Sequence, residues 1–151
     1  MPNYGNRSAS ELSTCDDDIV DVFTKVIESY DNTVLQGHRT ESEQKANFEA
    51  GKTKTMKSKH LLNPSQAVDA SPWPIPKDWG SLEDALRGFA HHDRKRVIGI
   101  IKEHVKFYHF AGYVQGQAEL IGKPLRWGGD WDNDKEFGDQ TFDDLVHFEK
   151  P

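Results

Sequence analysis

Two clusters carry the groups that could do chemistry. Ser58-Lys59-His60-Leu61-Leu62-Asn63-Pro64-Ser65-Gln66-Ala67-Val68-Asp69 sets an imidazole and a carboxylate on either side of a short loop. Asp69 falls at the end of an apolar run, as where a strand reaches a cleft. Near the C-terminus, Asp143-Asp144-Leu145-Val146-His147-Phe148-Glu149 repeats the combination on a second candidate strand. His60, Asp69 and His147 supply three nitrogen and oxygen donors, the number a catalytic zinc takes while keeping its fourth position for water. Two neutral imidazoles and one carboxylate leave the ion a net positive charge, which lowers the pKa of a coordinated water to about 7. The chemistry expected is metal-assisted hydrolysis, that of a metallopeptidase.

Cleaving an amide also requires a group that takes a proton from water and delivers it to the leaving amine. Asp144, just ahead of His147, fits that role. Glu149 is the rival, on the face of His147 only if the strand is regular. Arg39 stands at a strand-to-helix corner, where a guanidinium could fork a carboxylate or carbonyl oxygen; an ordinary surface ion pair is an equal reading. Ser58 reads as a hydrogen-bonding support for the His60 loop. The His60–Asp69 spacing matches neither HExxH nor a zinc finger, and an isolated histidine is more often structural. His104 is expected in the core, and His38, His91, His92 and His109 at the surface or in support.

These groups need elements to hold them. Thr14 is expected to cap a helix with Asp16-Asp17-Asp18 in its first turn, where the helix dipole favours carboxylates. Val20, Phe23, Val26, Ile27 and Tyr30 form its apolar stripe. Thr33 to Gln36 reads as a strand running into Gly37. Thr40 and Glu43 form a capping box for a helix that stops at Gly51. Lys52 to Lys59 is a basic connection, and the prolines of 71–76 exclude helix there. Ser81 caps a short helix through Phe89. A longer one from Asp93 to Gly112 has Val97, Ile100, Ile101, His104, Val105 and Tyr108 on its inner face. Pro124 to Trp127 and Leu145 to Glu149 are the remaining strands, with an acidic loop from Asp130 to Asp143 between them. The fold class is α+β: a small antiparallel sheet carrying the site, helices packed on one side.

At 151 residues the chain fits one domain, with 1–13 as a flexible N-terminal segment and 14–151 as the zinc peptidase domain. One cysteine, Cys15, excludes an internal disulfide and a cysteine-based zinc site. A net charge of -6 argues against nucleic acid as a partner. No apolar run suits a membrane span and no secretory h-region opens the chain, so no membrane insertion is expected.

Further segments add to the two clusters: Gly37-His38-Arg39-Thr40 with Gln44, Gly51-Lys52-Thr53-Lys54, and Arg126-Trp127-Gly128-Gly129-Asp130-Trp131. Taken in order from about Arg7 to Glu149, they resemble the zinc D-alanyl-D-alanine carboxypeptidase and L-alanyl-D-glutamate endopeptidase family, in particular its single-domain phage endolysins. The resemblance implies a hedgehog/DD-peptidase fold, His60, Asp69 and His147 as Zn2+ ligands, Asp144 as catalytic acid/base, and Arg39 on the substrate or transition state. It implies an endolysin that hydrolyses the L-alanyl-D-glutamate bond of the peptidoglycan stem peptide and lyses the cell wall. Such a protein acts as a monomer, stays in the host cytoplasm until released, and works in the periplasm or cell wall. A D-Ala-D-Ala carboxypeptidase or dipeptidase, and a non-catalytic zinc-stabilised wall-binding module, are the alternatives. The chain departs from the pattern at Asn63-Pro64-Ser65-Gln66, where the loop is longer and lacks the usual glycine.

Asp130-x-Asp132-x-Asp134 is similar to the first three ligand positions of a calcium loop, although Lys135 and Thr141 replace the glycine and glutamate of an EF-hand. Some endolysins of the family look similar here and are regulated by calcium. By that resemblance Asp130, Asp132, Asp134 and Asp139 are candidate Ca2+ ligands.

Overall fold

The structure is a computed structural model that describes residues 3–77, 81–87 and 93–151. A four-stranded antiparallel sheet runs in the order β1 (Asn32–Gln36), β2 (Ala67–Pro72), β4 (Asp144–Glu149), β3 (Arg126–Gly128). The strands bearing Asp69 and His147 are therefore its inner pair. Helices α1 (Asn6–Leu12), α2 (Asp17–Ile27), α3 (Glu41–Glu49), α4 (Leu82–Leu86) and α5 (Arg94–Leu120) complete an α+β architecture.

The core joins Ile19, Val22, Phe23 and Val26 of α2 to Phe107, Phe110, Ala111, Val114 and Ala118 of α5, over Val68, Ala70 and Phe148 of the sheet. Phe148 meets Phe23 and Phe110 edge to face, with ring centroids 5.7 and 5.8 Å apart. Each such contact adds about 0.5–1.5 kcal/mol beyond the area buried. Side chains alternate along a strand, so locking Phe148 into the core presents its neighbours His147 and Glu149 to the opposite face. Packing in the core thus aims the site.

Several local expectations give way. Residues 6–12, expected to be flexible, form α1, with Ser8 and Leu12 buried. Ser8 Oγ accepts the Val34 N–H and lies 3.2 Å from its carbonyl as well, and the Tyr4 hydroxyl donates to the Phe23 carbonyl or Asn32 Oδ1. Asp16 instead of Thr14 caps α2, accepting from Asp18 N–H at 3.1 Å, because Thr14 Oγ1 is taken by the Glu11 carbonyl and by His38 N–H. The buried face of α2 accordingly starts at Ile19, with Val20 only partly covered. The capping box of α3 forms as expected, and Gly51 follows it with φ +70°.

Asp69 lies inside β2 and not at its end, since the strand continues to Pro72. Ser81 caps α4, whereas its expected extension to Phe89 lies outside the described residues. Helix α5 does not stop at Gly112. It runs through Gly112 and Gly116 to Leu120, and its buried residues are His104, Phe107, Phe110, Ala111, Val114 and Ala118, while Ile101 and Val105 are exposed. Each interior glycine costs about 1 kcal/mol relative to alanine, which burial of five core side chains outweighs.

Candidate metal centre and catalytic cleft

Sheet register does the first part of the positioning: Asp69 and His147 are directly paired across β2 and β4. His60 comes from a 3-10 turn, Lys59–Leu61, whose cap is Ser58; Ser58 Oγ accepts the His60 N–H at 3.3 Å. The Arg39 N–H donates to the His60 carbonyl at 2.8 Å. The longer loop beyond His60 is pinned to the N-terminal segment by Ser65 N–H to the Thr14 carbonyl at 2.9 Å and Asp16 N–H to the Ser65 carbonyl at 2.8 Å.

These constraints bring three donor atoms together. His60 Nε2 lies 3.1 Å from Asp69 Oδ1 and 3.2 Å from His147 Nδ1, and His147 Nδ1 lies 3.1 Å from Asp69 Oδ1. Donors at about 2.0–2.1 Å from a tetrahedral zinc are about 3.3 Å apart, so this nearly equilateral triangle fits one face of such a site. The outward ring nitrogens fix the tautomers. His60 Nδ1–H donates to the Gly37 carbonyl at 2.6 Å, and His147 Nε2–H to Glu149 Oε2 at 3.1 Å. Each leaves its lone pair pointing inward. The residues present fit a zinc ion.

Electrostatics agree. Burial opposes ionisation of Asp69, yet His60 and His147 hold its carboxyl well below the usual range. Burial also opposes charge on His147, but its hydrogen bonds to Asp69 and Glu149 outweigh that and raise it to about 9. Three converging lone pairs in a buried pocket call for a positive charge, and an incoming cation displaces the proton that otherwise supplies it.

Asp144 reaches the same cleft by a local irregularity. In a regular strand, residues three apart face opposite ways. The register between β3 and β4 shifts at Trp127/Gly128, so that Gly128 pairs with Asp144 and both Asp144 and His147 line the cleft. Gly128 makes this possible: a Cβ there would lie 2.4 Å from the Asp144 carbonyl and 3.1 Å from His147 Cβ. Burial, then the negative charge of Asp69, push the Asp144 carboxyl up to about 6, near the working range of a general acid/base. Glu149 differs. Despite burial, His147 and Arg126 hold it down at about 2, and it pairs with Lys59 and Arg126 as well as with His147. Its Oε2 accepts from His147 Nε2 and so orients that ring. The two-residue spacing within β4 was the signal for that contact.

Arg39 is buried, with Gln36 Oε1 accepting from Nε and Nη2, Gln44 Oε1 from Nη1, and Asp69 Oδ2 from Nη2 at 3.3 Å. Four of its five N–H donors are engaged, and it steadies the outer oxygen of Asp69. The surface ion pair is thereby excluded. The cleft encloses about 570 Å3, and its walls also include Lys52, Lys54, Lys57, Trp131 and Phe142, which sequence reasoning did not assign. His104 is buried on α5 with Nδ1 donating to the Ile100 carbonyl, and His109 Nδ1 lies 2.9 Å from the Tyr30 hydroxyl; neither joins the triangle. His38 is partly buried outside it, and His91 and His92 lie outside the described residues.

The carboxylates of Asp130, Asp132 and Asp134 come within 4.8 Å of one another, without Asp139. Asp130 accepts the N–H groups of Asp134 and Lys135, Asp134 accepts that of Glu136, and Gln140 Nε2 donates to Asp132 and Asp139.

Among known proteins, the family model of phage L-alanyl-D-glutamate peptidases matches residues 2–92, a span containing His60 and Asp69 but ending before Asp144 and His147. The L-Ala D-Glu endopeptidase ChiX of Serratia marcescens superposes with a TM-score of 0.64 at 22% identity, over 98% of this chain and 89% of that one. The fold is therefore shared with that enzyme. No curated protein matches the chain. With well over half its length matched by the family model, the chain belongs to the phage L-alanyl-D-glutamate peptidase family.

Proposed function

We propose that the chain is a zinc-dependent endolysin that hydrolyses the L-alanyl-D-glutamate bond of the peptidoglycan stem peptide and so lyses the cell wall. The observation that carries this reading is the His60–Asp69–His147 triangle, opening into a cleft also lined by Asp144. His60, Asp69 and His147 would hold the ion, which when bound polarises the scissile carbonyl and lowers the pKa of water. Asp144, as carboxylate, takes the proton from the attacking water and, as acid, passes it to the departing D-glutamate amine. Arg39 holds Asp69 in place through Nη2, and its remaining N–H is left for the carbonyl oxygen as charge develops there. Glu149 keeps the His147 lone pair directed inward.

Among the described residues no helix is long and apolar enough to cross a membrane. The protein is proposed to act as a monomer, to accumulate in the host cytoplasm and to meet peptidoglycan after release. Digestion of purified sacculi followed by mass spectrometry tests the reading. New D-glutamate amino termini, lost on chelation and restored by zinc, are expected. Free D-alanine instead would indicate a carboxypeptidase, and intact sacculi with zinc bound would indicate a binding module.

A further inference from the structure

The charge of the cleft is opposite to that of the chain. Arg39, Lys52, Lys54, Lys57, Lys59 and Arg126 line it against the carboxylates of Asp69, Asp144 and Glu149, although the protein as a whole carries 25 acidic residues to 19 basic. Three of those cations are matched internally, Arg39 by Asp69, and Lys59 and Arg126 by Glu149. Lys52, Lys54 and Lys57 form no ion pair among the described residues. The three are exposed along the cleft wall, and there unmatched charge of one sign concentrates ligands of the other.

The segment that carries the three lysines is tied to the metal centre through Lys54 and Thr55. Lys54 Nζ lies 5.0 Å from the centroid of Phe142, Phe142 stacks on Trp131 at 6.4 Å, and Trp131 lies 5.5 Å from His147. From the other side, Gln44 accepts from Arg39 with its Oε1 and donates its Nε2–H to the Thr55 carbonyl at 2.6 Å. The basic segment is thus one side chain away from the guanidinium that holds Asp69.

A stem peptide cut between L-alanine and D-glutamate is electrically lopsided. Its acyl side leads to a neutral lactyl ether on the sugar. Its amine side begins with a D-glutamate joined onward through the γ-carboxyl, which leaves the α-carboxylate free unless it is amidated. We infer that Lys52, Lys54 and Lys57 recognise this α-carboxylate on the leaving side of the scissile bond, so that the enzyme selects free over amidated stem peptides. This inference rests on the L-alanyl-D-glutamate reading above.

The test compares kcat/KM on two muropeptides that differ only in whether the D-glutamate α-carboxyl is free or amidated. The wild-type protein is set against the triple variant Lys52→Gln, Lys54→Gln, Lys57→Gln. Three exposed charge pairs together support a preference of about tenfold. Wild type is expected to prefer the free carboxyl by about that factor, more weakly as salt rises. The triple variant is expected to lose the preference, its rate falling by about tenfold more on the free form than on the amidated one, with zinc content unchanged. Equal rates of wild type on both muropeptides, or an equal loss on both in the variant, would overturn the inference while leaving the scissile bond intact. Cleavage of neither by zinc-loaded wild type would overturn the reading on which it rests.

Discussion

Two clusters of candidate ligands share this molecule, and they are built on opposite principles. The His60–Asp69–His147 triangle stands on the two inner strands and one capped turn, mixes neutral nitrogens with a single carboxylate, and spends its outward hydrogen bonds on Gly37, Glu149 and Arg39. The Asp130–Asp132–Asp134 cluster hangs on a loop with Asn133 and Lys135 in the left-handed region (φ 58° and 74°). It consists of carboxylates alone, and its oxygens are turned inward onto the loop's own N–H groups and onto Gln140. In the first, supporting contacts leave the facing ligand atoms unspent; in the second, both oxygens of Asp130 and one oxygen each of Asp132 and Asp134 already accept hydrogen bonds. Proximity of acidic groups is therefore a poorer guide to a metal centre than where their remaining lone pairs point.

Removing one ligand from each cluster is the strongest way to break the comparison. Asp69→Ala is expected to abolish zinc retention and reduce sacculus hydrolysis to background, read by metal analysis and turbidity. Asp132→Ala should leave both unchanged, and a matching loss there would erase the distinction. Asp144→Asn is expected to lower kcat about 10²–10⁴-fold with zinc retained. Because the folded protein holds that carboxyl up at about 6, its charge weighs against the fold at neutral pH, and Asp144→Asn should also raise Tm. The sign for activity follows from the same shift: as pH falls through about 6 the base is protonated, so kcat/KM has an acid limb at or below that value, which a pH-rate profile reads. Glu149→Gln should weaken zinc about 10–100-fold, measured by competition with a chelator. The smallest effect belongs to the loop: at 1 mM calcium and a dissociation constant of about 1 mM, binding stabilises by only about 0.4 kcal/mol, a barely resolved change in Tm.

The candidate site was more legible in the sequence than parts of the scaffold. The donors are of distinctive types, and the Thr40–Glu43 capping box and the strand around Asp69 could be read from local chemistry. What local chemistry hid was tertiary. The polar residues 3–13 give no periodic signal, since Ser8 and Tyr4 secure the segment through hydrogen bonds to β1 and α2 instead of an apolar stripe. Gly112 reads as a stop, yet it is exposed, and the stripe on the buried face of α5 carries the helix past it and past Gly116. The route of Asp144 into the cleft depends on a register shift opposite Gly128, which strand alternation alone does not reveal.

The clamp around Gly37 ties the beginning of the chain to the chemistry. A Cβ at that position would fall 2.2 Å from both the Glu11 carbonyl oxygen and Thr14 Oγ1, while Glu11 Oε2 accepts the Gly37 N–H at 3.0 Å. The carbonyl on the other side of the same residue steers the His60 ring. Trimming the protein ahead of Cys15, or burdening that stretch with a fused tag, would accordingly register in a zinc titration as well as in a melting curve.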